Sequence, residues 1–185
     1  MRRVVNTIKN HSNWFAYYIE KYLRNRKVGF TFETRSGLSI KVPSRLMVTY
    51  KECFFDDTYF KGLPSDVRSR NMKTIVDVGA NVGYFSLRAF SLFPKAKVIS
   101  FEPMPVNYKL LNQYKEENPS FDWQAENKAM AGEETTIKLH FDQSDEFTTS
   151  ATVLEGSGQS DVFEVQADTL EGTLNQNNLD QIDFL

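Results

Sequence analysis

At 185 residues the chain suits one domain with a small N-terminal extension, and its 41% hydrophobic and 25% charged content is that of an ordinary globular protein able to bury a core. The net charge of −2 conceals a basic head: residues 1–28 hold seven of the 22 Lys and Arg and one of the 24 acids, leaving 15 bases against 23 acids beyond it, about +6 and about −8. The acidic remainder argues against a nucleic-acid partner, the single Cys53 excludes an internal disulfide, and no apolar run reaches the length of a membrane span or resembles a signal peptide, so the expected compartment is the cytoplasm.

In chain order, NWFAYYIEKYLRN sets Phe15, Tyr18, Ile19, Tyr22 and Leu23 at helical spacing behind a candidate N-cap, Ser12. The stripe is expected to pack on the main domain; the sharper alternative is peripheral contact with an anionic membrane. VGFTFETRSGLSIKV alternates on both sides of RSG and predicts a β-hairpin, with Val28, Phe30 and Phe32 on one face of the first strand and Leu38, Ile40 and Val42 on one face of the second. LMVTYKECFFDDTYF reads as a helix entering a loop, with Cys53 a buried structural thiol. KGLPSDVRSRNMK reads as a linker. These elements make an extension over 1–70 and a main domain over 71–185.

From Thr74 the rhythm changes. TIVDV, AKVISFE and FDWQAEN read as buried strands. Between them lie a helix with Phe85, Ala89 and Phe93 in phase, stopped by Pro94, and a helix opened by proline with Val106, Leu110 and Leu111 inward. This is a βαβαβ unit with a parallel sheet, of α/β class. TTIKLHF and VFEVQ follow as strands around a polar loop, then a short helix in ADTLEGTLNQNN, and DQIDFL opens another buried strand.

The chemistry concentrates where the first of these strands runs into glycines, in TIVDVGANVGYF. A helix is expected just after Gly79, its free N–H groups facing the turn, with glycine baring the backbone to a ligand. Asp77 ends this strand, and Glu102 ends the next, where a carboxylate can accept both hydroxyls of a ribose. A dinucleotide fingerprint needs glycines at 79, 81 and 84, but Asn81 and Tyr84 stand at two of them. Carboxylates suit an ammonium better than a phosphate, so the residues favour S-adenosylmethionine over NAD. One Cys and two His far apart give no metal-ligand spacing.

TIVDVGANVGYFSL, VISFEPMPVNYKLL, ENKAMAG, VQADTLEGTL and IDFL together resemble the FkbM-type methyltransferases, S-adenosylmethionine-dependent O-methyltransferases, over residues 74–185. The resemblance implies a Rossmann-like class I methyltransferase sheet, and a glycan or secondary-metabolite hydroxyl as methyl acceptor. It further implies a cofactor turn of Gly79, Ala80, Asn81 and Gly83, with Asp77 at the methionine end. Tyr84 and Phe85 would shape the crevice and hold the helix, Glu102 would bind the ribose with Pro103 beside it, and Asn127 and Ala129 would border the adenine. Thr152 is a weaker candidate for approaching the site. The family's K-I-D-x-E-G-like motif would follow IDFL and is not in the chain, which reads as truncated there. For the general base the residues offer weak candidates in His140, Asp142 and Asp145. Two rivals remain open at this point: a nucleoside-binding module without catalysis, and an NAD-dependent oxidoreductase.

Overall fold

The computed structural model describes residues 2–22, 29–63, 72–141 and 161–185, so Leu23, Val28, most of the expected linker and the polar loop bearing Asp142, Asp145 and Thr152 lie outside the described residues. The chain divides into two units: residues 1–71 with 84–96, and residues 72–83 with 97–185. The helix after the glycine turn groups with the first unit.

The first unit holds α1 (Arg2–Asn10), α2 (Trp14–Tyr22), the antiparallel hairpin β1 (Phe30–Glu33) and β2 (Ser39–Val42), α3 (Met47–Phe54) and α4 (Tyr84–Leu92). The hairpin buries Phe32, Leu38, Ile40 and Val42 on one face, as the alternation predicts. Aromatic rings fill the core: Phe32 stacks on Tyr50, Tyr50 on Phe54, both at 4.6 Å, and Tyr84 meets Tyr50 edge-on at 5.3 Å. Cys53 is buried among them.

Helix α1 has no counterpart in the sequence reading, because it turns polar residues inward. The Asn6 and Asn10 amides donate to the carbonyls of Phe55 and Phe54, both at 2.6 Å, satisfying acceptors that the end of α3 leaves without helical partners. His11 Nδ1 donates to the Thr7 carbonyl at 3.0 Å, and Nε2 accepts from the Tyr50 hydroxyl at 2.7 Å. Helix α2 departs from expectation too. Its buried residue is Tyr17, while Phe15 and Tyr22 are exposed and Tyr18 and Ile19 half-buried. Ser12 is not its cap: α2 starts at Trp14, and the Ser12 hydroxyl donates to the Glu33 carbonyl.

The second unit is built on a parallel sheet of β3 (Thr74–Val78), β4 (Lys97–Phe101) and β5 (Trp123–Glu126), joined by α5 (Pro105–Glu117) between β4 and β5. The chain then returns to the far side of β3. Phe184 forms a parallel bridge to Ile75, and Val76 N–H donates to the Phe184 carbonyl at 2.9 Å. The order is therefore the Phe184 segment, β3, β4, β5, which makes β3 the point where chain order reverses. Ligands of open α/β sheets sit at the carboxyl ends of strands at such a point. The IDFL segment is not a buried strand: Ile182 and Phe184 are half-buried and Leu185 is exposed. Ile182 still packs, with Met130, Leu170 and Leu179, on Val76, Ile99 and Phe101.

In α5 the inward face is Asn107, Leu111 and Tyr114, and Val106 is exposed rather than inward. A second sheet places β8 (Asp161–Asp168) between β6 (Ala129–Met130), parallel to it, and β7 (Thr135–Phe141), antiparallel. Leu139, Val165, Ala167, Ala129 and Met104 form its core, and α6 (Leu170–Gln176) follows, capped by the Thr169 hydroxyl accepting from Gly172 N–H.

Candidate functional site

Strand β3 ends in a left-handed excursion. Gly79, Asn81 and Gly83 all have positive φ, at 75°, 51° and 83°. The two glycines serve different ends. A Cβ on Gly79 would meet open space, so only its backbone angle calls for glycine. A Cβ on Gly83 would lie 3.0 Å from the Trp123 ring and 3.2 Å from Leu111, so Gly83 lets the second unit close on itself. Gly79 thus has open space beside its backbone, whereas Gly83 faces Trp123 and Leu111.

The turn's N–H groups are engaged within the protein. Gly79 and Ala80 both donate to the Phe101 carbonyl at 2.9 Å, Gly83 donates to Ala80, and Asn81 donates to Glu102 Oε2 at 2.7 Å. Helix α4 starts at Tyr84, beyond the turn. This corrects the picture of free helix N–H groups aimed at a ligand, and it leaves those four donors unavailable to a phosphate. Tyr84 and Phe85 belong to the first unit: Tyr84 lies against Tyr50, and Phe85 stacks on Phe60 at 5.2 Å. Their rings pack in that aromatic core and hold the helix.

Glu102 joins the ends of β3 and β4. It is 4% exposed, and besides Asn81 N–H it receives Met104 N–H on Oε1 at 2.9 Å and the Asn107 side chain. Burial pushes its carboxyl above the usual range, while the Met104, Asn81 and Asn107 hydrogen bonds pull the other way. Asn107 was missed in the sequence, although a signal was there: an Asn occupying the inward stripe with Leu111 and Tyr114. Asp77 is buried at the end of β3, on the same sheet face as its register partner Ser100. The Asn81 side-chain oxygen is buried and has no hydrogen-bond partner among the described residues.

Other predicted residues have structural places. Asn127 Nδ2 donates to the carbonyls of Glu102 and Pro103, at 2.8 and 3.0 Å, and so braces the loop after β4. Ala129 is buried in the second sheet's core. His140 lies on β7 opposite the face that buries Leu139, with Lys138 and Thr136 on its own side. The sequence also gave no warning of the Lys128–Asp168 ion pair, 2.7 Å long. Among the described residues no group of three or more His, Cys, Asp and Glu is placed to hold a metal.

Comparison with curated proteins finds methyltransferase sdnD of Sordaria araneosa, 45% identical over 65 residues, 35% of this chain and 23% of that protein. The chain resembles methyltransferases. AMB antimetabolite synthetase AmbE of Pseudomonas aeruginosa is 40% identical over 65 residues, 33% of this chain and 3% of that protein. The chain thus spans under a quarter of the length of either relative. Among solved structures, TYW2 of P. horikoshii in complex with MeSAdo aligns with a TM-score of 0.35 and 19% identity over 56% of this chain and 37% of that one. Methyltransferase FkbM of Methylobacillus flagellatus aligns with a TM-score of 0.38 and 14% identity over 66% and 26%. No protein-family model matches.

Proposed function

We propose that the second unit binds S-adenosylmethionine at the Gly79–Gly83 turn and Glu102, and that the protein transfers the cofactor's methyl group to a hydroxyl of a small molecule or glycan. The observation that carries this reading is the donor and acceptor balance at the turn. Four backbone N–H groups are already engaged, while the Asn81 side-chain oxygen is buried with no hydrogen-bond partner among the described residues and the Glu102 carboxylate receives the turn at the end of β4. An acceptor-rich crevice suits a ligand that brings hydroxyl and ammonium donors, and is a poor home for a pyrophosphate.

The residues fit the cofactor. Glu102 holds three donors, the Asn81 and Met104 N–H groups and the Asn107 side chain, and with about four acceptor sites keeps about one for a ribose hydroxyl. The Asn81 oxygen is a buried acceptor in want of a donor. The open side of Gly79 lets a ligand reach the backbone. Asp77 serves the ammonium end. Bound, the cofactor supplies an electrophilic methyl; the chain's own part is to orient it toward the acceptor and exclude water. Within this reading residues 71–185 are the methyltransferase domain, and the likeness over 65 residues to one curated relative named as a methyltransferase supports it.

The test is calorimetric titration of Glu102→Gln and Glu102→Ala with S-adenosylmethionine. Hydrogen bonds to a charged group are worth about 1.5–3 kcal/mol, so each variant should bind roughly ten- to a hundred-fold more weakly. An unchanged dissociation constant in a folded variant removes Glu102 from the ribose.

A further inference from the structure

The amphipathic stripe that the sequence offers as α2's inward face leaves its two ends, Phe15 and Tyr22, exposed, with Tyr18 and Ile19 half-buried between them. Phe15, Tyr18, Ile19 and Tyr22 recur at positions i, i+3, i+4 and i+7, a single helical face. Tyr17, the residue α2 buries, lies on the opposite side. Phe15 is 61% and Tyr22 68% exposed. Tyr18 and Tyr22 are stacked nearly parallel, at 5.9 Å and 7°, which presents them as one flat surface. Helix α1 also exposes Val4 and Val5.

The same two helices carry exposed cations. Arg2, Lys9 and Lys21 are exposed on the two helices, and the Lys21 ammonium sits 4.8 Å from the Tyr22 ring centre. The local field is positive enough to be felt by a neighbour: Lys51 is pushed below its ordinary value first by burial and then by Lys21 and Arg3. Aromatic rings and aliphatic tips together with lysine and arginine match the boundary between lipid headgroups and acyl chains.

We propose that this face of α1 and α2 seats the protein on an anionic membrane surface. The charge selects that occupant. A second copy would bring an equally basic head, about +6 over residues 1–28, against its like. None of the described helices is long and apolar enough to cross a membrane, so the contact is interfacial.

The test is co-sedimentation of the full chain with phosphatidylcholine vesicles, with and without about one-third phosphatidylserine, at low and high salt. The proposal expects binding to the anionic vesicles, weakened by salt, and reduced about tenfold or more in Phe15→Ser/Tyr22→Ser. Those two side chains are exposed, so the variant should keep its fold and its thermal midpoint. No sedimentation with anionic vesicles overturns the proposal, as does equal binding by the variant. A concentration-dependent dimer abolished by the same substitutions assigns the face to a second copy and overturns it too.

Discussion

Both units bury a charge, in opposite manners. In the first unit Arg88 donates from Nε and Nη2 to Asp57 Oδ1 at 3.2 and 3.0 Å, and Nη1 reaches Asn10 and Ser91. That network carries its own counter-charge and is closed. In the second unit Glu102 is held by neutral donors, the N–H groups of Asn81 and Met104 and the Asn107 amide. Those donors fix the carboxylate in place without cancelling its charge. A closed ion pair is architecture, whereas a fixed anion held by dipoles is prepared for a visitor that brings donors or positive charge.

The comparison breaks most visibly at Asp57. Asp57→Ala leaves the Arg88 guanidinium buried without its carboxylate and should cost about 3–5 kcal/mol of stability in urea denaturation. A loss below about 1 kcal/mol would mean that Arg88 swings to water and that the pair is not a structural keystone.

The two units should also answer acid with opposite signs. Burial, together with Arg88 and Arg35, drops the His11 imidazole from 6.5 to about 4. Its folded value lies below its unfolded one, so the unfolded chain takes the proton first. The His11 contribution is full above pH 6.5 and fades as pH falls toward 4, by roughly 3 kcal/mol in all. Glu102 has a raised folded value, so its contribution is greatest below its ordinary value of 4.5 and declines as pH rises through the raised one. Denaturation midpoints across this range should therefore lose their acid slope in His11→Gln and keep it in Glu102→Gln. The reverse pattern would contradict the assignment.

The glycines sharpen the contrast at smaller scale. Gly83→Ala forces both a left-handed backbone and a Cβ against Trp123, and should cost about 2–3 kcal/mol. Gly79→Ala meets only the backbone strain, about 1 kcal/mol, but its methyl would stand in the proposed crevice. Thermal melts and cofactor titration should rank the pair in opposite orders. The same order in both would make Gly79 a packing residue as well.

Much of this was legible in the sequence. The parallel β3–β4–β5 sheet, the hairpin and the strand-end acids follow from apolar runs, alternation and turn chemistry. The failures share one cause: periodicity identifies a face but not the direction it looks. It set Val106 inward, where α5 turns Asn107 to the core, and it sent the Phe15–Tyr22 stripe into the protein, where α2 turns Tyr17 inward instead. Helix α1 escaped notice because its inward residues are amides whose value lies in capping carbonyls of α3, a tertiary bond that no local pattern announces. Gly79 and Gly83 look alike in a motif, and it took Trp123, forty residues on, to tell them apart.

The most direct measurement is calorimetric titration of the unmodified chain with S-adenosylmethionine and, separately, with NAD. The acceptor-lined turn predicts that S-adenosylmethionine binds in the micromolar range and NAD does not. Binding of NAD alone, or of neither ligand by a folded chain, would contradict it.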